Sequence, residues 1–432
     1  MATNSTNDID VDPLAATKKY LVAKFTKRDL ILYALGIGCG SGSSVGDTQH
    51  DGDDVNNREL RYVYEENLEV FPSFLLALSF VAEREYQYLD DGIQCTHATS
   101  FGIRSFPPES MMHYLEDGTK CGLLPMQCFT KQDIDIGRIQ SLPILHVSQS
   151  LILHDEIKLF TDDYHNSLDP PTQVRLETRI VSVEPRNKGT LVTSETTYHQ
   201  FGKCIATAQM VALIVGLDRD LVVPLKATTP SAPLHKFESD NRTGSTRKRD
   251  NIPAGRDISR DIPNERTVVR YRIPHNAALL YRLSGDYNPI HVHDSLLSSD
   301  TAPAKSMPVL HGLCTLGYAL RGVLNHVSRR QLNKNNEREE ESQMRLVSFR
   351  CNFVKPVFVN DALCVEVGDD DKVIRSSDDE KLCLVCFYVY RELPLWTNVE
   401  TEIEGRVMVL VGEAKFRRRR PVENFVRAIS ML

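Results

Sequence analysis

The sequence predicts an α+β fold made of two similar halves. Each half begins with a helical pattern and continues with runs rich in β-branched and aromatic residues. A short segment also recurs, because residues 31–35 and 279–283 align without gaps and share Leu, Tyr and Leu. A polar stretch separates the two halves. We therefore expect an N-terminal domain at 1–225, a linker at 226–266 and a second domain at 267–416.

Composition is that of an ordinary soluble protein. The 432 residues are 41% hydrophobic and 25% charged, with a net charge of -7, so a nucleic-acid partner is not expected. Uninterrupted apolar runs fall short of the ~20 residues that a membrane-spanning helix needs. The polar, acidic start lacks the pattern of a secretory or transit peptide. We expect an intracellular protein without a membrane span.

The first half is expected to contain a short helix over 27–38 and strands over 174–184, 191–198 and 204–215. Glycines at alternate positions of 36–42 resemble a phosphate-binding loop. Such a loop follows a strand and ends in Lys-Ser or Lys-Thr, whereas this one follows a helix and lacks that ending. A flexible loop is the better interpretation.

The second half opens with Pro274 before a short helix that ends near Gly285. A charged run over 329–343 is expected to form a surface loop, followed by strands over 347–353, 382–390 and 406–411. Between these features, apolar residues recur at three- and four-residue steps and predict a long, largely buried helix. They are Leu310, Leu313, Leu316, Leu320, Val323, Leu324 and Val327.

The linker and the cysteines give no sign of a binding site. Prolines and polar residues over 226–266 cannot bury enough apolar surface to fold, and the basic cluster at 247–249 is interpreted as solvated charge. The 10 cysteines lie mostly in apolar contexts, which favours buried reduced thiols. Cys383 and Cys386 sit three apart in a predicted strand and point to opposite faces, so a zinc site is not expected.

The stretch after the short helix carries the candidate chemistry. Asp286, Asn288 and His291 place a carboxyl, an amide and an imidazole close together around an Asn-Pro turn. Histidine titrates near neutrality, and a neighbouring carboxylate can orient it or share its proton, so the pair is suited to activating a water. The alternative is that Asp286 and Asn288 only shape the turn. A metal site of His291, His293 and the following Asp lacks a complete ligand shell.

The same residues closely resemble a known family. Residues 281–291 match the hydratase 2 signature of the MaoC-like (R)-specific enoyl-CoA hydratases, which also form the hydratase module of the peroxisomal multifunctional enzyme type 2. The resemblance extends to 28–38, 308–315 and 353–357. It implies a double hot-dog fold, two tandem units in which an antiparallel sheet wraps a long helix.

The resemblance also implies the site. Asp286 and His291 match the acid/base pair, Asn288 matches its helper, and the backbone N–H of Gly312 matches the donor to the thioester oxygen. The His311 side chain has either a functional or a structural role. The implied reaction is hydration of trans-2-enoyl-CoA to (3R)-3-hydroxyacyl-CoA in fatty acid β-oxidation. CoA belongs to the substrate, so no cofactor and no metal are expected.

The N-terminal half is expected to be catalytically silent, because Gly38 stands where the second half has Asp286. The resemblance implies that this half houses the acyl tail. An apolar trough for it is one use of the residues Phe71, Phe74, Leu75, Leu76 and Phe80, and packing in the core is the other.

Two alternative functions are a hot-dog thioesterase and a non-catalytic acyl-CoA-binding protein. We expect a homodimer. The basic tail 417–432 ends in Ser430, Met431 and Leu432, which is similar to a peroxisomal address read by an import receptor, with the cytoplasm as the alternative location.

Overall fold

A computed structural model describes residues 19–41, 58–81, 83–84, 142, 144–159, 172–226, 266–292, 308–334, 344–375, 381–392 and 406–418. Several features predicted from the sequence lie outside these ranges. They are the N-terminal residues 1–18, most of the glycine- and aspartate-rich segment 40–57, nearly all of the linker, His293 with the residue after it, and the last residues of the tail. The two ends of the proposed linker, Lys226 and Arg266, are strand residues.

Four α-helices are described, and they are α1 (Lys27–Gly36), α2 (Phe74–Val81), α3 (Ala277–Tyr281) and α4 (Gly312–Lys334). The predicted helices at 27–38, near 276–285 and along 310–327 are confirmed. The loop expected from 329 is wrong over 329–334, because α4 continues to Lys334 through a segment made mostly of Arg, Gln, Leu and Lys, which have high helix propensity. None of the described helices is long and apolar enough to cross a membrane.

In the part of the chain that the structure describes, twelve strands form one antiparallel sheet. In the first half they are β1 (Lys19–Phe25), β2 (Glu83–Arg84), β3 (Ile144–Leu153), β4 (Thr172–Arg186), β5 (Gly189–Gln200), β6 (Lys203–Val215) and β7 (Leu225–Lys226). In the second half they are β8 (Arg266–Arg272), β9 (Met344–Phe353), β10 (Ala362–Arg375), β11 (Lys381–Glu392) and β12 (Arg406–Arg418). The strands predicted from sequence are all present.

The order of the strands is equivalent in the two halves. The sheet runs β2-β1-β4-β5-β6-β3-β9-β12-β11-β10-β8, with β7 beside β4. Outward from the central β3–β9 pair, one side is β6, β5, β4, β1 and the other is β12, β11, β10, β8. At the centre, Ser148 pairs with Asn352 and Ile152 with Ser348, so one continuous sheet joins the halves.

The helix α4 is buried between the sheet of its own half and the first half. It packs against β8 through β12. A Cβ atom added at Gly322 would lie 2.9 Å from Val365 Cγ1 on β10, and one at Gly317 would clash with Ile37 of the first half. Both faces of the helix therefore need glycine for close approach. This explains why every residue over 313–323 is buried.

The two recurring segments pack against each other. Tyr33 on α1 and Tyr281 on α3 occupy aligned positions, and their ring centroids are 5.8 Å apart. A Cβ at Gly36 would lie 3.3 Å from Tyr281 Cα, so the end of α1 meets α3 backbone to backbone. The repeat seen in the sequence thus corresponds to a direct contact beside the candidate site.

A buried ion pair ties the first half to α4. Glu59 and Arg321 have side chains 4% and 3% exposed, and Nη2 of the arginine lies 2.8 Å from Oε2 of the glutamate. Arg321 also donates from Nη1 to the Ile37 carbonyl, at 3.1 Å, and its guanidinium carbon lies 4.6 Å from the Tyr271 ring centroid. All of these groups are buried in one place. The ion pair therefore fixes the position of α4 against the first half.

The apolar residues considered for an acyl trough are core residues. Phe71, Phe74, Leu75 and Leu76 are between 2% and 4% exposed. The Phe74 ring lies 5.0 Å from the ring of Phe25, edge to face. Packing in the core, the second of the two uses considered for them, is therefore what the structure shows for these four.

The described cysteines are free thiols. Cys39, Cys314, Cys351 and Cys364 are buried, as expected for structural thiols. Burial raises the pKa of the Cys39 thiol to about 12, which keeps it protonated and unreactive. Cys383 and Cys386 both lie in β11.

Candidate active site

A tight turn after α3 brings the candidate residues together. The chain leaves α3 through a 3-10 turn, Arg282–Ser284, and reverses at Gly285, whose φ of +116° favours glycine. The exposed Asn288 shapes the next turn of the chain. Its side-chain oxygen accepts a hydrogen bond from the Ile290 N–H, at 3.2 Å, and its own N–H donates to Asp286 Oδ1, at 3.3 Å. These bonds form two consecutive Asx turns, one at Asp286 and one at Asn288, that return His291 towards Asp286.

Asp286 and His291 face each other. The distance from Asp286 Oδ2 to His291 Nε2 is 3.9 Å, and the two side chains are 21% and 12% exposed. The other ring nitrogen, Nδ1, lies 2.8 Å from the Val309 carbonyl oxygen. Because a carbonyl only accepts, Nδ1 of the neutral ring carries the proton and Nε2 keeps a lone pair. Two acceptors thus flank a gap that is too wide for a direct hydrogen bond and suited to one bridging water.

Burial shifts both groups towards their neutral forms. Desolvation raises the pKa of Asp286 above its ordinary value, against the charge of His291 and the Asn288 N–H, which lower it. Desolvation likewise lowers the pKa of His291, against the Asp286 carboxylate and the Val309 carbonyl, which raise it. The two pKa values therefore approach each other from opposite sides. Such a pair titrates as one unit and exchanges a proton at little cost.

The N-terminus of α4 lies beside this pair. The His311 carbonyl accepts the N–H of Thr315 at 3.0 Å, so Gly312 is the first residue of the helix. The N–H groups of a first helical turn have no partner inside the helix and lie at the positive end of its dipole. A Cβ at Gly312 would lie 3.3 Å from Phe353 Cε1, so this ring covers one side of the peptide. The Gly312 N–H is thus suited to binding a developing oxyanion.

His311 contacts both members of the pair. Its side chain is 1% exposed, its Nε2 lies 3.0 Å from the Asp286 carbonyl oxygen, and its ring stacks on that of His291 with centroids 3.6 Å apart at 24°. The sequence left a structural or a functional role open for this residue. The signal that marks it is its place directly before Gly312, at the start of the buried helix.

Ligand atoms of Asp286, His291 and His311 all lie within 4.8 Å of one another, which is the spacing of a metal site. A metal ion binds a histidine in the plane of the ring, at about 2.0–2.1 Å from nitrogen for zinc. Two stacked rings cannot both hold one ion in their planes at that distance. His291 ends a 3-10 turn, Pro289–His291, and His293, the other histidine of the metal site considered from the sequence, lies outside the described residues.

Comparison with known families places these residues in a recognised domain. The MaoC-like domain family matches residues 255–382, a range that contains Asp286, His291, His311 and Gly312. Residues 255–382 of the chain are similar to the MaoC-like domain. The match begins inside the segment proposed as a linker, at residue 255.

Curated relatives of the MaoC-like domain include peroxisomal proteins. Enoyl-CoA hydratase 2, peroxisomal, of Arabidopsis thaliana is 40% identical over 79 residues, which are 18% of this chain and 25% of that protein. The peroxisomal multifunctional enzyme type 2 of Drosophila melanogaster is 28% identical over 190 residues, which are 43% of this chain and 26% of that protein. The chain therefore matches about a quarter of the length of these relatives.

Solved structures show the fold. A crystal structure of a MaoC-like dehydratase from Phytophthora capsici superposes with a TM-score of 0.52 at 19% identity, and covers 93% of this chain and 96% of that one. A large antiparallel sheet with few helices agrees with that likeness. The chain has the fold of the MaoC-like hot-dog proteins.

Proposed function

We propose that this protein hydrates trans-2-enoyl-CoA thioesters to (3R)-3-hydroxyacyl-CoA in fatty acid oxidation, without a cofactor. Two kinds of support converge on this reaction. Relatives are named enoyl-CoA hydratase 2, and the MaoC-like match covers the site. The observation that carries the proposal is the gap of 3.9 Å between Asp286 Oδ2 and His291 Nε2, beside the start of α4.

The gap defines how one water would react. Both facing atoms accept hydrogen bonds, so a water between them directs its two protons at the pair and an oxygen lone pair at the substrate. As the C–O bond forms at Cβ, one proton passes from the water to the pair and the C=C electrons move towards the thioester carbonyl. The pair then returns a proton to Cα of the same face. Water is consumed whole, and addition is syn.

The helix terminus completes the reaction. Attack at Cβ places negative charge on the thioester oxygen, which the Gly312 N–H would bind as it develops. The dipole of α4, a helix of 23 residues, acts in the same direction. Asn288 contributes through the turn, since its side-chain oxygen is bonded to the Ile290 N–H and not to the gap.

We also propose that the fold is a double hot dog whose N-terminal half is catalytically silent. The equivalent strand order of the two halves supports the tandem arrangement. Gly38 aligns with Asp286, and a Cβ there would lie 2.6 Å from Arg321 Nη1 and 2.7 Å from the Tyr318 hydroxyl. Two side chains from α4 thus fill the space that a second catalytic carboxylate would need. The acyl tail is the role proposed for this half, although Phe71, Phe74, Leu75 and Leu76 themselves pack in the core.

Turnover of defined thioesters tests the reaction. The full chain is incubated with trans-2-enoyl-CoA substrates of several lengths, while loss of enoyl absorbance is followed and the product enantiomers are resolved. A 3R alcohol is expected, with a thiol reagent detecting no free CoA. Release of free CoA would instead identify a thioesterase, and tight binding without turnover an acyl-CoA-binding protein. A 3S product contradicts the stereochemistry proposed.

The proposed location is the peroxisome. It is supported by the names of the Arabidopsis and Drosophila relatives, both of which are peroxisomal. The chain is expressed with a fluorescent protein at its N-terminus, with and without residues 430–432. Punctate fluorescence that needs those residues is the expected result, and diffuse fluorescence of both forms would place the protein in the cytosol.

We also propose that the protein is a homodimer. Light scattering of the purified chain measures its oligomeric state.

A further inference from the structure

We propose that His311 is a positioning residue for the hydration reaction, holding Asp286 through its peptide carbonyl and His291 through its ring. This inference rests on the proposed function and adds a residue to its machinery. His311 does not need to touch the substrate. Its effect is exerted through two contacts that reach both members of the acid/base pair from one side chain.

The first contact is a hydrogen bond to the backbone of the acid. The Asp286 carbonyl oxygen only accepts, so the His311 Nε2 at 3.0 Å carries the proton and donates it. Asp286 lies in a loop directly after the reversal at Gly285. A loop residue is less well fixed than one in a helix or strand. A bond from the start of the buried helix α4 supplies the anchor that the loop lacks.

The second contact fixes the imidazole of the pair. The rings of His291 and His311 stack at 3.6 Å, and the His311 ring also contacts that of Tyr281, with centroids 4.9 Å apart. His291 is thereby held between its bond to Val309 and a rigid aromatic surface. Rotation of its ring would break both. Nε2 is therefore held towards Asp286 before substrate arrives, which is the preorganisation that acid/base catalysis needs.

Burial keeps the His311 ring neutral where it stacks on His291. Burial lowers the pKa of His311 well below its usual range, followed by repulsion from His291 and, more weakly, from Arg282. The charged groups close to the two rings are Asp286 and Arg282. Two imidazolium ions at this spacing would repel strongly, so His311 leaves the titration to the Asp286–His291 pair.

Two substitutions separate the two contacts. His311→Phe keeps an aromatic ring against His291 and removes the donor to Asp286. His311→Gln keeps a donor and removes the stacked ring. The control is His326→Phe on the same helix, a buried histidine 15 positions further along, whose Nδ1 is bonded to Thr267 at 2.7 Å. Folding of every variant is checked by circular dichroism and thermal melting.

Kinetics are the first measurement. Each His311 variant is expected to lose kcat by roughly 10²-fold with KM nearly unchanged, because displaced catalytic groups slow the chemical step. His326→Phe should keep its kcat. Normal kcat in both folded His311 variants, together with an inactive Asp286→Asn, overturns the positioning role and leaves the hydratase in place. An inactive wild type overturns the proposed function.

Nitrogen NMR of labelled histidines is the second measurement, and it does not depend on turnover. Loss of the stacked ring in His311→Gln admits water to His291, so the pKa of His291 should rise, since burial is what lowers it. His311→Phe keeps the ring covered and should leave that pKa in place. Unchanged His291 signals in His311→Gln contradict the ring contact, whether or not the protein hydrates enoyl-CoA.

Discussion

Glu59 accepts two hydrogen bonds from the Arg321 guanidinium, at 3.0 Å from Nε and 2.8 Å from Nη2, although 262 positions separate the residues in sequence. Both are buried, so the loss of one partner leaves an uncompensated charge. Glu59→Gln should therefore lower the free energy of unfolding by about 3–5 kcal/mol, measured in urea. An exposed pair, Arg61 and Glu69 at 3.6 Å, is the control, and Glu69→Gln should cost no more than about 1 kcal/mol. Equal costs would contradict the burial of the pair.

Removal of either acid/base partner should abolish most turnover. Asp286→Asn and His291→Ala are each expected to lower kcat by about 10²- to 10⁴-fold on folded protein, since each removes a group that moves the proton. The double variant should be scarcely slower, because the two groups act as one unit. An exposed histidine on the surface, His154, serves as the control, and His154→Ala should keep full activity. Near-normal turnover of the folded Asp286→Asn variant would contradict this mechanism.

The pH profile should show one acid limb. The active pair has an ionised Asp286, whose pKa is raised above 3.8, and a neutral His291, whose pKa is lowered below 6.5. Taking up a proton inactivates the pair, so kcat/KM should be level at high pH, where Asp286 is ionised and His291 is neutral, and should fall as the pH drops through the pKa of the pair. In Asp286→Asn the carboxylate that raises the pKa of His291 is gone. The acid limb of the pH profile of the residual Asp286→Asn activity should therefore move to lower pH. A shift to higher pH would contradict the coupling between Asp286 and His291.

Phe74 should act on stability and not on substrate choice. Its ring packs edge to face on Phe25 and Tyr33, at 5.0 and 5.4 Å. Phe74→Ala should cost about 3–5 kcal/mol of unfolding free energy. Short and long enoyl-CoA substrates should lose turnover equally. Leu279→Ala, at a residue 51% exposed, is the control and should stay within about 0.5 kcal/mol of the wild type. A loss confined to long substrates would show that the ring lines an acyl trough.

Local patterns predicted the elements well where packing follows periodicity. The apolar spacing from Leu310 to Val327 predicted α4, and alternation predicted β9. The strands β1, β3, β8 and β10 were missed, as were the two-residue strands β2 and β7. The segments of β1 and β8 are short and mix charge with apolar residues, as in Arg266–Arg272, because each lies near an edge of the sheet with one face solvated. The alternation of apolar and polar residues is therefore weak in strands near an edge of the sheet.

The site was predictable to the extent that it is local in sequence. Asp286, Asn288 and His291 lie in one turn, so their types and spacing already indicated an acid/base pair. The stacking of His311 on His291 depends on how α4 docks beside that turn, and no local pattern encodes it. The buried Glu59–Arg321 ion pair could not be predicted either, because nothing in the sequence distinguishes a buried charged residue from an exposed one.

The ladder from Ser148–Asn352 to Ile152–Ser348 also limits how the chain can be divided. A fragment ending before β9 would leave β3 with an open row of backbone donors and acceptors, and a fragment starting after β7 would do the same to β9. Open rows of that kind recruit strands from other molecules. Each half made alone should therefore aggregate, and mixing the two fragments during refolding should restore a soluble complex through this same row of hydrogen bonds.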